Sequence, residues 1–210
     1  MPAPLSDAER AEIVRRALAL QITATPDKAA HNLGTLPRAD GTRLPLHVVH
    51  AVDAVITDGT CVVLINRKNP PSQGMPALPG GFIDPQAGGR AENALTAAAR
   101  EAMEEAGIHL SGGHLIGVRN FRRPGDIRFA WGDLPAYGIR KDDAFLVSTQ
   151  AVRFDVPDLT TTKLEAGDDA LPGSARRVKL TSLTRAFMGV GDHYDMIVAA
   201  LATRGITSAD

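Results

Sequence analysis

The chain has 210 residues, with 23 Lys and Arg against 24 Asp and Glu and a formal net charge of −1, which excludes the broad positive field that non-specific nucleic-acid binding needs. A hydrophobic share of 44% with 22% charged residues excludes a mostly disordered chain, and the length favours one main domain with appendages. The single cysteine, Cys61, excludes an intramolecular disulfide and is expected as a buried strand thiol in the run Cys61-Val62-Val63-Leu64-Ile65.

In chain order, Ser6 followed three residues later by Glu9 forms a capping box, and Leu5, Ile13, Ala17 and Leu20 thread the charged segment behind it, so residues 7–20 are predicted as a helix. The first ten residues show no basic segment leading into an apolar one, and no later stretch approaches the ~18 apolar residues of a membrane span, so a cytoplasmic protein with no membrane partner is expected. Residues 21–45 are rich in Pro, Gly, Asp and Thr and read as a connection, with a short strand pair around Ala39-Asp40-Gly41. Residues 47–57 and 60–67 are β-rich runs joined by Asp58-Gly59, a hairpin signal.

Pro70, Pro71, Gly74 and Pro76 force a loop ahead of the short apolar stretch 77–83. Ala91, Ala94, Leu95, Ala98, Ala102 and Ala106 then recur on one stripe, with Gly107 as a stop, so a helix is predicted over 91–106 with a close-packing alanine face. Strands are expected at 113–121, 127–131, 143–154 and 176–181. Asp192 and Asp195, read as N-cap and N3, open a closing helix over 193–203.

The alanine-striped helix carries Glu101, Glu104 and Glu105 at i, i+3 and i+4, so their carboxylates are expected to converge on the face opposite the alanines. Two carboxylates ~6 Å apart repel by roughly 3 kcal/mol at an effective dielectric of about 20, whereas an exposed pair with Arg100 returns only about 0.3–0.5 kcal/mol. Hard divalent ions such as Mg2+ or Mn2+ suit such a cluster. The alternative is a solvated acidic face, which the helix dipole opposes at this C-terminal end.

Glu92, seven residues, then Arg100, Glu101, Glu104, Glu105, Gly107 and Ile108 resemble the Nudix box, G-x5-E-x7-R-E-U-x-E-E-x-G-U, in which U is a bulky aliphatic residue. Ala102 is smaller than the usual U. Leu78-Pro79-Gly80-Gly81-Phe82-Ile83-Asp84 resembles the segment that opens the box, although ten residues, not five, separate Gly81 from Glu92. The resemblance implies an α+β Nudix fold, an α/β/α sandwich with a mixed central sheet flanked by helices. Residues 1–34 would form an N-terminal helical extension and 35–210 the hydrolase domain. It also implies that Glu101 and Glu105 are the principal metal ligands, with Glu104 a further one and the Gly81 carbonyl another, and that Arg100 orients a glutamate.

Such a site, with Mg2+ or Mn2+ as cofactor, would lower the pKa of a bound water and stabilise charge on a leaving phosphate, with Glu104, Glu105 and Arg100 as its catalytic residues. The general base would be a box glutamate or an acid on a later loop, where Glu165, Asp168 and Asp169 are candidates; a Gly and Asp turn is the competing explanation of that loop. The stretches Val52-Asp53-Ala54-Val55-Ile56, Gly167-Asp168-Asp169-Ala170 and Asp192-His193-Tyr194 are similar to those in Nudix domains of NAD metabolism, namely ADP-ribose pyrophosphatases and the Nudix half of some nicotinamide mononucleotide adenylyltransferases.

A nucleotide substrate such as ADP-ribose is therefore expected, with Arg122, Arg123 and Arg128, alongside Arg119, as phosphate-binding candidates or a solvated basic loop. Trp131 and Tyr137 are candidates for stacking on a base or for the core, His193 reads as a helix-end or core histidine, and His47 and His50 as strand residues. A ligand-sensing regulator without hydrolysis, and a nucleotide-sanitising or decapping enzyme, are the alternatives. No DNA partner is expected, because no winged helix follows residue 203; the oligomeric state stays open, with a homodimer as one candidate.

Overall fold

The computed structural model describes residues 3–19, 26–70, 72–87, 90–121, 127–167, 169–189 and 191–202, and the backbone alone of residues 114–121 and 191. The content is α+β, with helices α1 (Asp7–Leu18), α2 (Ala94–Ala106) and α3 (Gly191–Ala202). The strands are β1 (Ala30–Pro37), β2 (Arg43–Thr57), β3 (Cys61–Asn66), β4 (Pro76–Ala77), β5 (Gly80–Phe82), β6 (His114–Phe121), β7 (Ile127–Phe129), β8 (Ala144–Asp155) and β9 (Arg176–Lys179). No helix among the described residues is long and apolar enough to cross a membrane.

Two compact units contain these elements: Met1–Ala51, Phe82–Asn93 and Asn120–Thr149 make the first, and Val52–Gly81, Ala94–Arg119 and Gln150–Asp210 the second. In the first, the capping box of α1 closes as expected: the Glu9 N–H donates to Ser6 Oγ, and the Ser6 N–H donates to Glu9 Oε2 at 2.7 Å. Leu5, Ile13 and Ala17 pack into one core with Leu36, Leu44, Leu46 and Val48. Truncating the fully buried Ile13 to alanine would cost about 2–5 kcal/mol. The turn at 38–42, where Asp40 Oδ1 accepts the Thr42 N–H at 2.9 Å, joins β1 to an antiparallel β2 with Leu36 opposite Leu44 and Ala30 opposite Val49.

The predicted helix start at residue 91 is displaced to Ala94. The Ala91 N–H donates to the Asp27 carbonyl at 3.3 Å and the Glu92 N–H to the Asp84 carbonyl at 2.8 Å. Both amides are therefore committed outside a helix. Pro85 bridges Ala91, so the ten residues between Gly81 and Glu92 include a loop that closes on itself, and Glu92 lies at its base.

In the second unit β3 is central, antiparallel to β4 on one side, to β9 through Val62 opposite Val178, and to the end of β2 through Thr57 opposite Val62. Cys61 begins β3 but is only half-buried, contrary to the buried thiol expected, because it sits at the strand's open end. α2 packs on β3. α3 buries Met196, Ile197 and Ala200. It starts earlier than predicted, so Asp192 lies in its first turn rather than capping it, and Asp195 pairs with Arg185 at 2.9 Å.

Candidate active site

The second unit builds the site on α2. Ala94, Ala97, Ala98, Ala102 and Ala106 are buried, and so are Glu101 and Glu105, at 7% and 3% exposure. The two glutamates stand one turn apart and share the alanine face, which corrects the expectation that all three carboxylates lie opposite it. Methyl side chains let the helix approach its support closely, which keeps both carboxylates largely out of bulk water. Glu104, about 100° round the helix from Glu105, keeps an exposed side chain. Arg100 joins the two classes, since its Nη1 donates to Glu101 Oε1 at 2.8 Å and to Glu104 Oε2 at 2.9 Å.

The segment Leu78-Pro79-Gly80-Gly81 faces them. The Ala54 N–H donates to the Pro79 carbonyl at 2.8 Å, and the Gly80 N–H donates to Glu105 Oε2 at 2.9 Å. A Cβ on Gly80 would lie 2.3 Å from Asp53 Oδ1, and one on Gly81 2.3 Å from Glu101 Oε1. Gly80 demands glycine for close approach, because the Val52 carbonyl and Asp53 Cα lie 2.3 and 2.9 Å from where a Cβ would fall, whereas at Gly81 only the Glu101 carboxylate stands in the way. The Leu78 N–H donates to His193 Nδ1 at 2.9 Å, and His193 Nε2 lies 3.5 Å from Asp53 Oδ2.

Burial pushes the Glu105 carboxyl up to about 8; the Gly80 N–H opposes the shift, while Glu101, Asp53 and Asp169 add to it. Burial likewise drives Asp53 up to about 7 against the pull of Arg67, and His193 down to about 3. An ion pair of Asp53 and His193 would move both the other way. The hydrogen bonding favours the neutral ring, because Nδ1 accepts the Leu78 N–H and the ring proton therefore sits on Nε2, facing Asp53.

Beside Glu105 lies a cleft of about 50 Å³ lined by Ile65, Arg67, Asn69, Leu78, Gly80, Glu105 and Asp169. That is room for an ion or a few waters, far below the roughly 300 Å³ of a small-molecule pocket. Asp169 is held there by Asn69, whose Nδ2 donates to its Oδ1 at 2.8 Å, and by the Lys68 N–H, which donates to its carbonyl at 2.9 Å. Glu165 is exposed and paired with Lys163 at 3.0 Å. Asp168 lies outside the described residues.

Among the described residues no group of three or more His, Cys, Asp or Glu side chains is gathered tightly enough to hold a metal ion. Arg100 supplies the positive charge for Glu101 and Glu104, and Glu105 turns to the Gly80 N–H. The donor set nevertheless suits a hard divalent ion: carboxylate oxygens line up along α2, and one of them is buried with three acidic neighbours raising its proton affinity.

The structure does not bring every predicted residue to this unit. Arg128 lies on β7 of the first unit, opposite Phe145 of β8, while Arg122, Arg123 and the Arg119 side chain lie outside the description. Trp131 is 86% exposed rather than core, and Tyr137 packs edge-on against Phe82 at 5.8 Å. His47, on β2, meets Asp143 at 3.2 Å. Roles for Asp53, Arg67 and Asn69 are not readable from sequence. Asp53 meets Gly80 and His193, 27 and 140 positions on, and Asn69 meets Asp169, 100 positions on, so no local spacing announces them.

Residues 48–134 match the NUDIX domain family. The chain is 42% identical over 76 residues to the ADP-ribose pyrophosphatase of Methanocaldococcus jannaschii, a stretch covering 36% of this chain and 42% of that protein. It is also similar to the NUDIX domain of Shewanella oneidensis NrtR complexed with ADP ribose, at 17% identity and TM-score 0.47, over 72% of this chain and 84% of that one. A third likeness is to a bifunctional NMN adenylyltransferase/ADP ribose pyrophosphatase from Francisella tularensis complexed with AMP and Mn ion, at 20% identity and TM-score 0.46, over 91% and 45% of the two chains.

Proposed function

We propose that this chain, which carries a NUDIX domain at residues 48–134, is a metal-dependent hydrolase of a diphosphate linkage in a nucleoside diphosphate derivative, with ADP-ribose as its first candidate substrate. The observation that carries the reading is the seating of two buried glutamates, Glu101 and Glu105, against Gly81 and Gly80. Desolvating two carboxylates on one helix face costs stability, which a cation-binding role explains and a purely structural one does not. The ADP-ribose pyrophosphatase that shares 42% identity over 76 residues supports the substrate class.

Glu101 and Glu105, with Glu104 and the Gly81 carbonyl, would hold Mg2+ or Mn2+. When bound, the ion would polarise the diphosphate oxygens and acidify a water. Arg100 orients Glu101 and Glu104. Asp169 is the favoured general base, because it shares the cleft with Glu105 and Asn69 holds its carboxylate, whereas Glu165 lines no part of that cleft and is tied to Lys163. Arg122, Arg123 and Arg128 remain the candidates for substrate phosphates, with a cytoplasmic location expected and a homodimer as one candidate assembly.

The test is a panel of nucleoside diphosphate derivatives with Mg2+ and Mn2+, its products identified by mass spectrometry. AMP released from ADP-ribose is the expected result. Wild-type rates no different from those of Glu105→Gln on every compound would remove the reading.

A further inference from the structure

We infer that His193 and Asp53 are positioning residues: together they clamp the segment 78–81 so that the Gly80 N–H meets Glu105 and Gly81 meets Glu101. Four contacts carry this. His193 Nδ1 takes the Leu78 N–H, a donor inside a residue only 2% exposed. Asp53 Oδ2 faces the opposite ring nitrogen, and Asp53 Oδ1 sits where a Cβ on Gly80 would fall. The backbone following Asp53 closes the clamp, through the Ala54 N–H on the Pro79 carbonyl.

The imidazole therefore spans from α3 to the glycine segment, and a single carboxylate contacts both the imidazole and the glycine. Leu78 and Gly80 are separated only by Pro79, whose ring fixes its φ, so a displacement at Leu78 has little slack in which to dissipate. Beyond Gly80 the next contacts are the carboxylates of α2. His193 and Asp53 thus sit one layer outside those carboxylates, where outer partners set the orientation of metal-binding groups. A histidine buried only to fill space would leave both ring nitrogens idle; here each faces a polar partner.

The metal-binding consequence rests on the function proposed above, whereas the clamp itself does not. The experiment accordingly reads two quantities on the full chain: amide hydrogen exchange at Leu78 and Gly80 by NMR in chelator, and Mn2+ binding by electron paramagnetic resonance. His193→Leu should speed exchange at both amides by about tenfold or more and weaken Mn2+ binding by about tenfold. His193→Gln, whose amide oxygen can accept the Leu78 N–H, should recover both to within about threefold of wild type. Should His193→Leu not fold, Asp53→Ala takes its place, with faster exchange at Gly80 expected. Unchanged Gly80 exchange in a folded His193→Leu or Asp53→Ala protein would overturn the clamp. Wild-type protein that takes up no Mn2+ would remove the hydrolase reading, and the exchange rates would still decide the clamp.

Discussion

A Cβ atom on Gly81 would lie 2.3 Å from Glu101 Oε1 and 2.6 Å from its carboxyl carbon, so backbone and carboxylate occupy space that no other residue leaves open. Gly81→Ala must push Glu101 off its contact with Arg100 or move the 78–81 segment. Overpacking of this kind costs about 1–3 kcal/mol. Thermal unfolding should reveal that loss, and calorimetric Mn2+ titration should reveal an affinity lowered by about tenfold or more. Unaltered affinity would show that Gly81 and Glu101 do not act together.

Arg100 shares one nitrogen between Glu101 and the exposed Glu104. The Glu104 side of this network is open to solvent but Glu101 is buried, so Arg100→Ala should lower stability by about 1–3 kcal/mol. Its effect should also fall on turnover, because Glu101 loses the donor that fixes its rotamer. We expect kcat/KM to drop by about tenfold or more, measured at a temperature where the variant is fully folded. Turnover near wild type at that temperature would make Arg100 a structural residue.

Much of this was legible in the sequence, and the failures share a cause. The capping box of Ser6 and Glu9 and the Asp58-Gly59 hairpin are local patterns, and each forms where expected, as does the alanine stripe from Ala94 onward, without Ala91 and Leu95. The glutamate spacing placed three carboxylates on α2 but misjudged their facing, because helical periodicity ranks faces by hydrophobicity and a buried carboxylate violates that ranking. Helix starts at Ala94 and Gly191 were missed where long-range hydrogen bonds or early turns outweigh local caps. Asp53 and His193 were unreadable as partners, since 139 residues separate them and their relation exists only in the folded chain.

Glu105 is held neutral up to a pH of about 8 in the metal-free protein, chiefly by burial. Its folded pKa exceeds the ordinary carboxylate value, so the fold binds the extra proton and stability is lost as pH rises from about 4.5 towards 8. Glu105→Gln keeps an acceptor for the Gly80 N–H and removes the titration. In chelator, its Tm should therefore overtake wild type as pH rises to 8, by about 2–4 °C for each kcal/mol regained, while the two converge near pH 5. Its hydrolytic rate should fall by about a hundredfold or more. A variant less stable than wild type at pH 8 would contradict the burial argument.

Asp58 behaves in the opposite sense. Its Oδ1 accepts the Cys61 N–H at 2.8 Å, the Thr60 hydroxyl at 2.7 Å and the Thr60 N–H at 2.9 Å, and these hold the carboxyl well below the usual range. With the folded pKa depressed, the stabilisation is complete above about pH 4 and disappears as pH falls below it. Asp58→Ala should lower Tm at pH 7, and the gap to wild type should narrow steadily from pH 4 to 2.5. A gap independent of pH would assign the loss to turn conformation rather than to the charge.

Asp169 offers the sharpest division between chemistry and binding. Its carboxylate accepts from Asn69 at 2.8 Å and lines the cleft with Glu105, whereas Glu165 pairs with Lys163 and lines no part of that cleft. A general base contributes about 10²- to 10⁴-fold to rate and little to ground-state affinity. Asp169→Asn should thus lower kcat within that range while KM and Mn2+ affinity stay within about threefold, and Glu165→Gln should leave all three near wild type. Asn69→Ala, which frees the carboxylate without removing it, should fall between them. If Asp169→Asn instead weakens Mn2+ binding in step with kcat, the residue belongs to the ion's shell and the base must be sought among the glutamates of α2.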